Sequence, residues 1–94
     1  MNFLHSEATI GPGDVVVVSL DAQANVLLMD DHNYPAYQSG RSFEYVGGWA
    51  TQSPVRLSPP RYGRWHVVVD LAGRAGQVRA GVRILRRGPM AEAC

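Results

Sequence analysis

The 94-residue chain is 46% hydrophobic and 18% charged, which places it among globular domains and leaves length for one modest core. No apolar run approaches the ~18 residues of a membrane-spanning helix, and the only cysteine, Cys94, rules out a disulfide within the chain. The net charge of +1 hides an asymmetry. Residues 1–50 hold Arg41 against Glu7, Asp14, Asp21, Asp30, Asp31 and Glu44, whereas residues 51–94 hold eight arginines against Asp70 and Glu92. Such halves are expected to neutralise one another across the fold.

The opening MNFLHSEATIG has neither the basic start nor the continuous apolar segment of a secretory signal, so a cytoplasmic protein is expected. A strand is expected over 2–9, and Gly11-Pro12-Gly13 follows with Pro and Gly placed for a type II turn. Further strands read near 14–20, 25–30, 41–46, 54–58, 64–71 and 77–86, each short, rich in Val and aromatic residues, and bounded by Gly, Pro or Asp/Asn clusters. DAQANVLLM, from Asp21 to Met29, also fits two turns of helix. Seven to eight short strands argue for an all-β, antiparallel sandwich or barrel. One domain is expected over 1–87, with 88–94 as a flexible tail.

Alternation sorts the last two strands into faces. Trp65, Val67, Val69 and Leu71 share one side, with Arg64, His66, Val68 and Asp70 on the other. Val78, Ala80, Val82 and Ile84 likewise face in, and Gln77, Arg79, Gly81, Arg83 and Leu85 face out. Trp65 is expected in the core, its indole N–H seeking an acceptor. Paired as a hairpin, these strands would set Asp70 near Arg79 and His66 near Gly81 and Arg83. Arg64, His66, Arg79 and Arg83 would then form an anion-binding strip, against the simpler reading of a solvated face with one cross-strand ion pair.

The segment DDHNYPAYQSG, from Asp30 to Gly40, is read as a loop in which Asp30, Asp31 and Asn33 close the strand end by Asx-turn bonds. A second loop is read at Tyr45-Val46-Gly47-Gly48-Trp49. Tyr34, Tyr37, Arg41 and Trp49 make the best loop-face candidates for ligand binding, weighed against packing over a sandwich edge and core capping by Trp49. No metal or other cofactor is expected, since calcium needs six to eight oxygens and the three histidines are scattered. Catalysis is not expected either. His66 and Asp70 stand about 13 Å apart on an extended strand, no G-x-S-x-G elbow occurs, and a terminal Cys94 is a poor nucleophile.

MNFLH, GDVV, ANVLLMDDHNYPAY, YVGG, SPVRL and GRWHVVVDLAGRAGQVRAGVRIL occur in this order from Met1 to about Leu85. The ordered set resembles the bacterial domain-of-unknown-function family numbered eighteen eighty-three. The resemblance implies a compact, jelly-roll-like β-sandwich and no reaction. It also implies a separate partner for any signalling role, a Toll/interleukin-receptor (TIR) effector domain being associated with some longer relatives. The expectation is thus a non-catalytic, sensor-type recognition module for a ligand or protein partner. The alternative is binding of nucleic acid or another polyanion through arginines, which the small net charge and missing motifs disfavour. Exposed strand edges are compatible with a homodimer.

Overall fold

The computed structural model describes residues 3–86. Seven strands and one short helix run in the order β1 (Phe3–Ile10), β2 (Val15–Leu20), β3 (Ala24–Asp30), α1 (Tyr34–Gln38), β4 (Val46–Ala50), β5 (Val55–Leu57), β6 (Gly63–Asp70) and β7 (Ala80–Leu85). They form two antiparallel sheets, one ordered β1-β6-β3-β4 and the other β5-β2-β7. The expected all-β sandwich is therefore the fold, and β1, β2 and β3 alternate between its layers as jelly-roll strands do. Among the described residues no helix is long and apolar enough to cross a membrane.

The filling between the sheets follows directly from alternation. Val16 and Val18 from β2 meet Ala24, Val26 and Leu28 from β3 and Trp65, Val67 and Val69 from β6, with Ile10 closing one end. Trp65 is buried as expected, and its Nε1–H donates to the Arg61 carbonyl over 3.1 Å. Asp21–Met29 contributes a strand rather than a helix, because its even positions complete this filling. Val82 points into the same gap but is 38% exposed, since β7 is an edge strand.

Three expectations are corrected. First, β6 and β7 do not pair: β6 lies between β1 and β3, while β7 pairs with β2 in the other sheet. The reason is that Trp65 to Asp70 are buried without a break. A strand covered on both faces belongs at the centre of a sheet, where it needs two neighbours. Second, the expected strand over 41–46 is strand only at Val46. The strand lies over the presumed loop, as β4, where Gly47 adopts φ +114° and a Cβ would sit 2.2 Å from the Val26 carbonyl oxygen. The Gly pair permits close backbone pairing with β3 rather than a turn.

Third, Asp30 to Gly40 is not simply a loop but carries α1. Pro35 lies in the first turn of the helix, and Tyr34 and Tyr37, three residues apart, project from one face onto the four-stranded sheet. There Leu27, Met29, Tyr37 and Val68 form a second apolar cluster on the sheet's outer side, flanked by Phe3, Tyr34 and Phe43. This side of the sheet is therefore partly roofed, and the roof positions the chemistry described next.

Candidate functional site

On the outer face of the four-stranded sheet, Glu7 of β1 lies directly opposite His66 of β6, and His5 shares that face two residues away. Met29 of β3 flanks His66 on its other side, and Asp31 follows just beyond the end of β3. Register alone thus gathers two imidazoles and two carboxylates. His66 is buried, while His5, Glu7 and Asp31 stand around it at the rim.

The two imidazoles are bonded through His5 Nε2 and His66 Nδ1 at 2.8 Å, with ring planes 10° apart and centroids separated by 5.1 Å. These values describe rings lying edge to edge in nearly one plane. Tyr34 covers both, its ring parallel to His5 at 4.3 Å and to His66 at 4.3 Å. The other His66 nitrogen, Nε2, meets Asp31 Oδ1 at 2.6 Å. An ionised carboxylate only accepts, so His66 Nε2–H is the donor there. In neutral His66 the Nδ1 lone pair then accepts from His5 Nε2–H, which fixes both tautomers.

Glu7 completes the group, with Oε2 lying 3.5 Å from His66 Nδ1 and 3.9 Å from His5 Nε2. Its other oxygen, Oε1, accepts from the Arg64 guanidinium, which orients the carboxylate. Burial and the neighbouring His66 hold the His5 pKa below its ordinary value, with Glu7 pulling the other way. For Tyr34, burial and then the charge of Glu7 hold the phenol above its ordinary range. His5, Glu7 and His66 bring three ligand-type atoms within 4.8 Å of one another, the arrangement of a candidate cation site.

A second polar anchor lies along the same face. Tyr37 is buried and donates its O–H to Asp70 Oδ2 over 2.5 Å, while Asp70 Oδ1 accepts the Ala72 N–H. Burial, then the hydrogen bond to Asp70 and its charge, push the Tyr37 phenol well above its usual range. Asp30 accepts from the backbone N–H groups of His32 and Asn33 and from the Asn33 side chain, an Asx-type closure of the strand. Asp31 departs from that expectation by turning to His66.

The four loop-face candidates separate. Tyr34 lies on the imidazoles, Tyr37 is a buried support, and Arg41 is exposed beyond α1. Trp49 sits on β4, opposite Asn25, with the Arg74 guanidinium 4.4 Å from its ring centroid and Gln23 as acceptor for its indole N–H at 3.4 Å. The arginine strip does not assemble, because it required the β6–β7 hairpin. Arg64 and His66 occupy the outer face of one sheet, and Arg83 the outer face of the other. Arg79 precedes β7 and donates its backbone N–H to Asp21.

His5 and Glu7 were not singled out by sequence reasoning, and Asp31 was read as closing the strand end. A signal existed in the H-x-E spacing of His5 and Glu7, which puts both on one strand face, but nothing in the sequence states which strand lies beside β1. Comparison with curated proteins and with solved structures finds no match. The match that does exist spans residues 1–88, and by it the chain belongs to the family described as Domain of unknown function (DUF1883).

Proposed function

We propose that this chain is a non-catalytic recognition module of sensor type, meeting its ligand or protein partner on the outer face of the four-stranded sheet. The contact point is the rim where His5, Glu7, Asp31 and Tyr34 surround His66. The observation that carries this reading is the bonded imidazole pair beneath Tyr34, with a carboxylate at each side. Placing imidazole out of water on a sheet exterior costs desolvation that an apolar side chain would avoid. Titratable groups with shifted pKa values, such as His5 here, cluster at functional sites. Both ring nitrogens of His66 are engaged by neighbouring side chains, which favours binding over acid–base catalysis. A cytoplasmic setting and a separate effector domain of TIR type as partner fit the same reading.

The test is a map of backbone amide shifts on titration with zinc, inorganic phosphate, a nucleoside triphosphate and a dicarboxylate. At least one probe is expected to move residues clustered on His5, Glu7, Asp31 and Tyr34. Responses centred only on Trp49 or on Arg83, or none from any probe, contradict it.

A second reading, polyanion binding, draws on Arg56 and Arg83. They flank Val17 on the outer face of the three-stranded sheet, and neither is paired to a carboxylate among the described residues.

A further inference from the structure

We infer that His5, Glu7 and His66 bind one divalent transition-metal ion, with Asp31 and Arg64 as positioning residues. The inference rests on the reading that this face is the binding face, and it names the ligand class. Three atoms carry it: His5 Nε2, His66 Nδ1 and Glu7 Oε2, separated by 2.8, 3.5 and 3.9 Å. Bonds of about 2.0–2.2 Å in tetrahedral geometry place ligand atoms roughly 3.3–3.5 Å apart. The contact from His66 to Glu7 already matches that spacing, and the one from His5 exceeds it by about 0.4 Å. The imidazoles need to part by about half an ångström and to tilt, because their nitrogens now face each other along one line; His5, on an edge strand and partly exposed, has room to yield.

The surroundings match what a metal requires of them. A metal-bound histidine characteristically donates its second N–H to a carboxylate, which fixes its tautomer and ring orientation. His66 does so, using Nε2–H on Asp31 and leaving the Nδ1 lone pair directed at His5 and Glu7. Arg64 occupies Glu7 Oε1 and leaves Oε2 aimed at the imidazoles. Two imidazole nitrogens and one carboxylate suit zinc-like ions, and are too few and too soft for calcium.

The proton balance closes without a net release. His5 transfers its proton from Nε2 to Nδ1, His66 keeps its Nε2 proton, and the ion exchanges three of its waters for the three protein atoms. The ion thereby stands in for the hydrogen now shared between the two rings. The exposed side of Glu7 leaves the remaining position to water or to a group carried by a partner.

The experiment is calorimetric titration with zinc and visible absorption with cobalt, on the full chain and on a Cys94→Ser chain that removes the one thiol. One ion per chain is expected. His5→Gln and Glu7→Gln should each weaken binding by at least about tenfold, and Asp31→Asn by about 10–100-fold. His32→Gln should leave it unchanged. The 15N signals of His5 Nε2 and His66 Nδ1 should move with the bound ion. Absence of binding at millimolar ion, or undiminished binding by His5→Gln, overturns the inference. Should both metals fail while phosphate, nucleotide or dicarboxylate still moves the same rim, the metal is wrong and the binding face stands. Should no probe move it, both fall.

Discussion

The outer faces of the two sheets differ in how their charged residues are held. On the four-stranded sheet, His66 bonds Asp31 and His5, Arg64 bonds Glu7, and Tyr37 bonds Asp70, so each polar group is fixed by a partner far away in sequence. On the three-stranded sheet, Arg56 and Arg83 stand either side of Val17 with no such partners among the described residues. Val17 is nonetheless 1% exposed. Arg56 and Arg83 are its cross-strand neighbours, and arginine stems can lie along apolar surface while their heads stay wet. One face is preorganised, the other merely shielded. Charged groups are tied into one cluster on the face that carries α1 and stand apart from one another on the other face.

Removing the roof is the most direct way to break that distinction. Tyr37→Ala takes a buried ring out of the second apolar cluster and leaves Asp70 without its phenol, so a loss of about 3–5 kcal/mol is expected in urea unfolding. Tyr37→Phe keeps the ring and removes only the hydrogen bond, with an expected loss of about 1–3 kcal/mol. A loss from Tyr37→Phe as large as that from Tyr37→Ala would show that packing under α1 contributes nothing.

The same phenol predicts alkaline behaviour. Its folded pKa lies above the ordinary 10.0, so the stability it contributes is complete below that pH. Above it the unfolded chain loses its proton first and stability falls. Tyr37→Phe should flatten this decline, though not abolish it, because the Tyr34 phenol is also held up. A decline equally steep in the variant would contradict the assignment.

The shielded face should respond least. Arg56→Ala combined with Arg83→Ala uncovers Val17 and is expected to cost about 1 kcal/mol or less. The same double variant sharpens the choice of function. If polyanion binding is the role, retardation of DNA at low salt should be lost with it, and the logarithmic salt slope of the parent should be near 0.9 per phosphate. Recognition at the imidazole rim predicts that the double variant leaves the ligand response untouched.

The layer between the sheets was legible because alternation is local: Trp65, Val67 and Val69 declare one face without reference to any other strand. The neighbours of β6 were not legible. The short turn-rich stretch after Asp70 suggested a hairpin, yet burial of His66 and Asp70 together with the valines demanded two flanking strands, which β1 and β3 supply. That displacement dissolved the arginine strip and brought together His5 and His66, which are 61 positions apart. Tyr34 was marked for contacts at a loop surface, whereas a five-residue helix turns it inward over the imidazoles. Long-range pairing, rather than residue type, was the missing information.

His5 and His66 share one hydrogen between rings whose tautomers are fixed by Asp31. Imidazole 15N spectroscopy of the metal-free chain near neutral pH reads this directly. The expected spectrum shows a protonated Nε2 and an unprotonated, hydrogen-bond-accepting Nδ1 in His66, with the His5 proton on Nε2. Averaged nitrogen shifts from freely exchanging tautomers in both rings would contradict it.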